Sequence, residues 1–416
     1  MIRFVLADLR RQWAGALAVA LLIALATALG VSVTLGERAL RLGSARAASA
    51  FDLVVGAPGS ETQLVLSSVF LQPAPLPLLP GRVLSALRAD PRVAVAAPVG
   101  FGDFVGDDPV VGTTGDVISS FGGPAEGRLF ARLGEAVVGA AVARGIDSRF
   151  HPLHGRMSEG GHVHGEVSYR VVGRMAPTGT PWDRAIFVPI EAVWQVHAHE
   201  AEAVPPLLAG AKAADAAGTH DALDLDRPID PAALASPGAP GVPAILVKPR
   251  TIADAYKLRQ EYRNERSLAV FPAEVLTRLY GTLGDARSVL ATIAYGAQAL
   301  VAGAILLVVT IHVLQRRRQI GALRAFGASR GTVFSIVWLE VVGTIGLGII
   351  GGFALGYGAA LALARHVGGA SGIRLPVEFR SEDGLALLVL ITLTGLVTLL
   401  PALLAYRQSP AEALRG

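Results

Sequence analysis

Seven of the nine histidines fall between residues 151 and 220, and this clustering is the first candidate for chemistry in the 416-residue chain. His151, His154, His162 and His164 lie close together, followed by His197 and His199. His162 and His164 flank a single valine, so an extended backbone places both rings on one face. Neutral imidazole is a common ligand for zinc or copper. The glycine-flanked stretch from Gly155 to Gly165 reads equally well as a solvated loop whose histidines bind nothing. The His-Glu-x-x-His spacing of a catalytic zinc site is missing. There is no cysteine, which excludes disulfides, thiolate metal ligands and cysteine nucleophiles. A phosphate-binding loop ends in Gly-Lys-Ser/Thr, and none of Lys212, Lys248 and Lys257 follows a glycine. The carboxylate pairs Asp107-Asp108 and Glu382-Asp383 are adjacent in sequence, and the expectation is that they face solvent. These absences predict a chain with no catalytic residues and no bound nucleotide.

A second candidate is the basic stretch from Arg316 to Arg330. It contains Arg316, Arg317, Arg318, Gln319, Ile320, Leu323, Arg324, Phe326, Gly327 and Arg330, and no acid. Ile320, Leu323 and Phe326 recur every three residues, which gives a short helix a narrow apolar face. Gly327 can act as its C-cap. Such a helix suits docking into a groove of a partner. The plainer reading is that its arginines fix topology and hold anionic lipid.

The elements that must position these residues are strongly apolar. Hydrophobic residues make up 52% of the chain and charged ones 17%, against about 25% charged in an ordinary soluble domain. Four segments are long enough for the roughly 20 residues a bilayer demands: 12–36, 288–315, 331–364 and 384–406. Glu340 alone interrupts the third. The first is too long for a signal-peptide core, so Ala48-Ser49-Ala50 is not read as a cleavage site. Arginine placement orients the spans. The N-terminus, the 316–330 loop and the C-terminus together carry a net charge of +8, and the remainder −4. The expected topology has both termini in the cytoplasm and a large domain outside.

Small residues recur every fourth position at Ala16, Ala20, Ala24 and Ala28, and again at Gly348, Gly352 and Gly356. Both stripes allow close helix approach, either within one subunit or across a dimer. Glu340 inside a span is a functional candidate by default. Between the first two spans, residues 37–287 show short β-rich runs at 51–55, 92–96, 109–112, 169–173, 185–188 and 244–247. The helical stretch 251–266 follows the run 244–247 and precedes the short apolar run 268–271, so a βαβ unit and a mixed α/β domain are expected. Residues 200–241, rich in Ala, Pro, Gly and Asp, read as a mobile insertion.

The stretch Arg316-Arg317-Arg318-Gln319-Ile320-Gly321-Ala322-Leu323-Arg324-Ala325-Phe326-Gly327-Ala328-Ser329-Arg330 resembles the corresponding loop of FtsX/MacB/LolC-type ABC transporter permeases. The resemblance extends over the chain: one span, a large external domain, then three spans. The ending Pro410-Ala411-Glu412-Ala413-Leu414-Arg415 is similar as well. The resemblance implies an α-helical membrane protein with four transmembrane helices and a mixed α/β extracytoplasmic domain of the MacB periplasmic-core kind between helices 1 and 2. It implies a bacterial inner-membrane permease, paired with itself or with a related permease. A separate cytoplasmic ATPase would bind ATP and Mg, and 316–330 would be the coupling helix resting on it. A periplasmic binding or adaptor protein is a further implied partner. The family usually carries a carboxylate where this chain has Gln319. The competing reading is a membrane-anchored sensor of metal, with zinc at the histidines, or of envelope stress.

Overall fold

The structure is a computed structural model that describes residues 13–72, 74–154, 162–163, 167–203, 224–282 and 326–399, with isolated positions besides. It divides into two compact units. One comprises Met1–Arg41, Leu283–His366 and Leu375–Gly416, the other Leu42–Thr282 and Val367–Arg374. The first helix, α1 (Trp13–Ser49), ends within the Ala48-Ser49-Ala50 sequence, and Ala50 is in the turn that follows. Ala47 and Ala48 are fully buried at its end, and Ser49 and Ala50 after them are exposed.

The second unit is built on a four-stranded antiparallel sheet. Its strands are β1 (Leu53–Gly56), β2 (Val93–Val105), β11 (Ala244–Pro249) and β12 (Leu268–Val270), in the order β12-β1-β11-β2. After β1 come α2 (Glu61–Ser68) and α3 (Gly81–Ala89); α3 leads into β2. Helix α7 (Ile252–Glu261) joins β11 to β12. Each β–α–β half therefore encloses a strand of the other half, which is the split arrangement of ferredoxin-like sheets. The expected βαβ unit at 244–271 exists, but β1 lies between its two strands. Alternation along β1 explains the layering. Leu53 and Val55 pack with Leu84 and Leu87 of α3, whereas Val54 faces Phe51, Trp182 and Phe187 on the other side.

Strand β2 is unusually long and carries the chain into a second sheet. Its first half pairs with β11 and its second half with β3 (Asp108–Thr113). The register shifts between Phe101 and Asp103, where Gly102 has φ +151°, a conformation that suits glycine at a bulge. Beyond β3 follow α4 (Gly115–Ser120), β4 (Pro124–Gly127), β5 (Glu135–Val138), β6 (Arg149–Phe150), β7 (Leu153–His154), β8 (His162–Val163), β9 (Tyr169–Met175) and β10 (Ile186–Pro189). The second sheet runs β2-β3-β10-β5-β9-β4, and β10 lies parallel to β3 and β5 parallel to β9. Strands β5 and β10 are buried at every position. That fits the apolar runs Ala136–Val138 and Ile186–Pro189, since a strand covered on both faces does not alternate; Glu135, at the head of β5, is the exception.

Helix α5 (Ile190–Ala203) follows β10. Residues 224–241, read from composition as part of a mobile insertion, are packed instead. Leu133 and Gly134 donate to the carbonyls of Arg227 and Leu225, and Ile229 donates to Ala131. Asp230 caps α6 (Pro231–Ala235), whose Leu234 is buried. The intervening residues 204–223 lie outside the described ones.

In the first unit, α1 is accompanied by α8 (Arg330–Ser371) and α9 (Ser381–Val397). Helices α1 and α8 are long and apolar enough to cross a membrane. With 37 and 42 residues, they measure roughly 55 and 63 Å at about 1.5 Å per residue. Both exceed a hydrocarbon core of about 30 Å. Leu17, Leu25, Leu347, Leu355, Leu385 and Leu388 are exposed, as lipid-facing side chains would be. The expected span 288–315 lies almost wholly outside the described residues, as does the end of the 384–406 span.

Candidate functional site

The two small-residue stripes meet each other. The carbonyl oxygens of Ala20, Ala24 and Ala28 on α1 face Gly348, Gly352 and Gly356 on α8. A Cβ on Gly348 would stand 2.8 Å from the Ala20 oxygen, and one on Gly356 2.7 Å from the Ala28 oxygen. A Cβ on Gly352 would stand 2.7 Å from Thr27 Cβ. Only glycine leaves room for this approach. Ser32 fixes the register: its hydroxyl donates to its own helix at Ala28 O, 2.7 Å, and lies 3.1 Å from Gly356 O across the seam. The two stripes thus pack against each other within one chain.

Glu340 lies on α8 and is half-buried; its backbone carbonyl accepts the Thr344 hydroxyl at 2.9 Å. Near it, the Trp338 indole donates to Gly395 O of α9 at 3.2 Å.

Of the basic stretch, Arg316, Arg317, Arg318, Gln319, Ile320, Leu323 and Arg324 lie outside the described residues. Phe326 is described and stands 91% exposed. Gly327 has φ +95°, a left-handed turn conformation that glycine adopts without strain. Gly327–Gly331 carries the spelling Gly-x-Ser-x-Gly, which marks nucleophilic serines at strand–helix turns. Here the Ser329 oxygen accepts the Thr332 amide at 3.1 Å, the geometry of an N-cap for α8.

Residues 291–411 match the family model described as FtsX-like permease C-terminal. The chain carries an FtsX-like permease domain. Helices α8 and α9, the seam glycines and Glu340 all fall inside the matched range. A comparison with curated proteins returns no match. Among solved structures, the periplasmic region of MacB from Actinobacillus actinomycetemcomitans matches at 10% identity and a TM-score of 0.32, over 56% of this chain and 95% of that one. The extracellular domain of the noncanonic ABC-type transporter YknZ from Gram-positive bacteria matches at 8% identity and a TM-score of 0.28, over 52% and 98%.

Outside the permease domain, the histidines are only partly described. His151 Nδ1 lies 2.8 Å from Val167 O. His154 and His162 are cross-strand partners in the β7–β8 pair, and Asp103 of β2 is the partner of His154 on the other side. Three ligand-type residues thus share one row across three strands, and the next row is Phe104, Leu153 and Val163. The side chains of His154, His162, His197 and His199, and all of His164, lie outside the described set. Among the described residues no group of three or more metal-ligating side chains converges.

Several charged residues have roles that their sequence neighbours do not suggest. Asp383, expected at a solvent-facing pair, is buried against Arg38 of α1. Two guanidinium nitrogens donate to its two oxygens at 2.8 and 2.9 Å. The same carboxylate accepts the Arg380 amide at 2.8 Å, which caps α9. Asp108, the other predicted surface acid, is half-buried with Arg184 at 3.5 Å, and burial raises its pKa above the usual carboxylate range. Glu135 receives Arg128 in a bidentate pair at 2.5 and 2.7 Å and also accepts the amides of Ala131 and Arg132. The Arg128 hydrogen bonds, reinforced by those amides, hold its pKa down to about 2 against the cost of burial.

Proposed function

We propose that the chain is the membrane permease subunit of an ABC transporter in a bacterial inner membrane, driven by a separate cytoplasmic ATPase. The match of residues 291–411 to the FtsX-like permease family carries this reading. On this reading ATP and Mg are bound by the separate ATPase, and no Gly-Lys-Ser/Thr sequence occurs in these 416 residues. Residues 316–330 serve as the coupling helix, with Ile320, Leu323 and Phe326 as its docking face and the arginines at its rim. The flanking spans carry the ATPase's motion, and the α/β unit outside the membrane delivers it to an exported or extracted substrate. Two such permeases, identical or related, work as a pair on two ATPase subunits. A periplasmic binding or adaptor protein completes the assembly. Affinity purification of the full chain from its native membrane, followed by identification of bound proteins, tests this directly. An ABC ATPase should co-purify with the native chain and be lost from Ile320→Asp and Leu323→Asp.

A second reading is a metal-sensing module, supported by the row formed by Asp103, His154 and His162. Two imidazoles and a carboxylate are a ligand set suited to zinc or another first-row metal. Calorimetric titration of the full chain in detergent with zinc should show binding that His154→Ala/His162→Ala abolishes. Equal heats from the two proteins would remove this reading.

A further inference from the structure

The α/β unit includes eight residues, Val367–Arg374, made of the last five residues of α8, Val367–Ser371, and the three that follow. The chain on either side of them, Leu283–His366 and Leu375–Gly416, belongs to the other unit. These eight residues rest on the loop Thr178–Arg184. The Arg184 guanidinium donates to Ala370 O. The Arg374 amide donates to Gly179 O at 3.2 Å. Gly372, at φ +73°, lies so close to the Thr180–Pro181 backbone that an added Cβ would stand 3.2 Å from it.

The two sides of this contact differ in stiffness. On the receiving side, Asp183 ties down the turn by accepting the Thr178 amide and hydroxyl at 2.7 Å and the Gly179 amide at 2.8 Å. Trp182 is fully buried among Phe51, Phe121 and Phe187, with ring centroids 5.2 to 5.5 Å apart. The arriving side contains Gly368, Gly369 and Gly372, and none of its side chains joins the buried core. Its attachment is polar, partly exposed and made mainly to backbone atoms. Arg184 is held from behind by Asp108 at 3.5 Å, so it is aimed at the segment before the segment arrives.

We infer that Val367–Arg374 is a releasable clasp, closed on the Thr178–Arg184 loop by Arg184. A rigid receptor and a glycine-rich strap held by a few hydrogen bonds can part and re-form without disturbing either core. Because α8 ends inside the strap, at Ser371, a shift of that helix pulls on the clasp. On the permease reading, the clasp must open during each ATP cycle.

The chain has no cysteine, so a cysteine pair can lock the clasp without interference. A Cβ on Gly179 would lie 3.4 Å from Arg374 Cβ, close to the roughly 3.8 Å typical of disulfides; because Gly179 has φ +72°, a cysteine there carries backbone strain, so the reduced variant must first match the native chain in hydrolysis. Gly179→Cys/Arg374→Cys is made in the full chain and purified with its ATPase. Oxidation should abolish ATP hydrolysis while leaving the ATPase bound, and reductant should restore it in the same sample. Unchanged hydrolysis in the fully oxidised complex would show a permanent strut and overturn the clasp. If no ATPase co-purifies, the permease reading fails, and amide exchange of the full chain decides the clasp by itself. Arg184→Ala should then speed exchange at the Arg374 amide about tenfold, the ratio corresponding to one charge-assisted hydrogen bond. An unchanged rate would overturn Arg184 as its fastener.

Discussion

Replacing Gly352 with alanine should weaken the membrane unit, while the same change at its neighbour Gly351 should strengthen it. A Cβ on Gly352 would stand 2.7 Å from Thr27 Cβ and 2.8 Å from Ala24 Cα, and closer still to the Ala24 carbonyl oxygen. Carbon atoms rest about 3.5–4.0 Å apart, so α1 and α8 must separate by roughly 1 Å. Overpacking of this kind costs about 1–3 kcal/mol. Separation also stretches the contact between the Ser32 hydroxyl and Gly356 O, worth about 1 kcal/mol. The gain in helix propensity on replacing a mid-helix glycine returns about 1 kcal/mol. The net loss for Gly352→Ala is about 2 kcal/mol. Gly351 has nothing within 4 Å of its virtual Cβ, so Gly351→Ala keeps only the propensity gain of about 1 kcal/mol. Neighbouring substitutions of identical chemistry thus differ by about 3 kcal/mol, with opposite signs. Thermal unfolding of the full chain in detergent, followed by the helical circular dichroism signal, measures the difference. Indistinguishable melting of the two variants would show that the glycine stripe does not carry α1.

Asp383→Ala should destabilise the full chain by about 2 kcal/mol, because it strands the Arg38 guanidinium and removes the α9 cap. Asp383→Asn can keep the cap and should lose about 1 kcal/mol less in the same melting assay. Glu135 has its pKa depressed to about 2. A depressed carboxylate contributes its stability above the unfolded value, about 4.3. That contribution is lost as pH falls from there toward 2. Chemical unfolding between pH 6 and 3 should therefore show a slope that flattens in Glu135→Gln, and equal slopes would contradict the assignment.

Several strand positions are legible because short β-branched runs between Gly- and Pro-rich turns have few other uses. Residues 244–247 and 185–188 are examples, and both are strands. Strand β5 (Glu135–Val138) and the two-residue strands are not legible in this way. The insertion of β1 between β11 and β12 was not legible, since strand order is decided by contacts hundreds of residues apart. Each small-residue stripe was visible from its spacing alone, but the partner was not, because a glycine every fourth residue fits any close helix. Asp383 was misread for a related reason. Two adjacent acids look solvated in sequence, and nothing local reveals that Arg38, 345 residues away, closes on one of them. The packing of residues 224–241 is hidden in their composition because Ala, Pro and Asp also build capped short helices and bridged turns. Arg184 leaves no sequence signal, since an arginine in a turn is ordinarily solvated.

The most direct test of the permease assignment is co-purification of the full chain from its native membrane, comparing the native protein with Ile320→Asp and Leu323→Asp at matched expression. The account predicts an ABC ATPase bound to the native chain and lost from both variants, with all three proteins still folded in the membrane. An ATPase that stays bound to both variants would contradict the coupling helix. Recovery of the native chain with no ATPase would contradict the permease function itself.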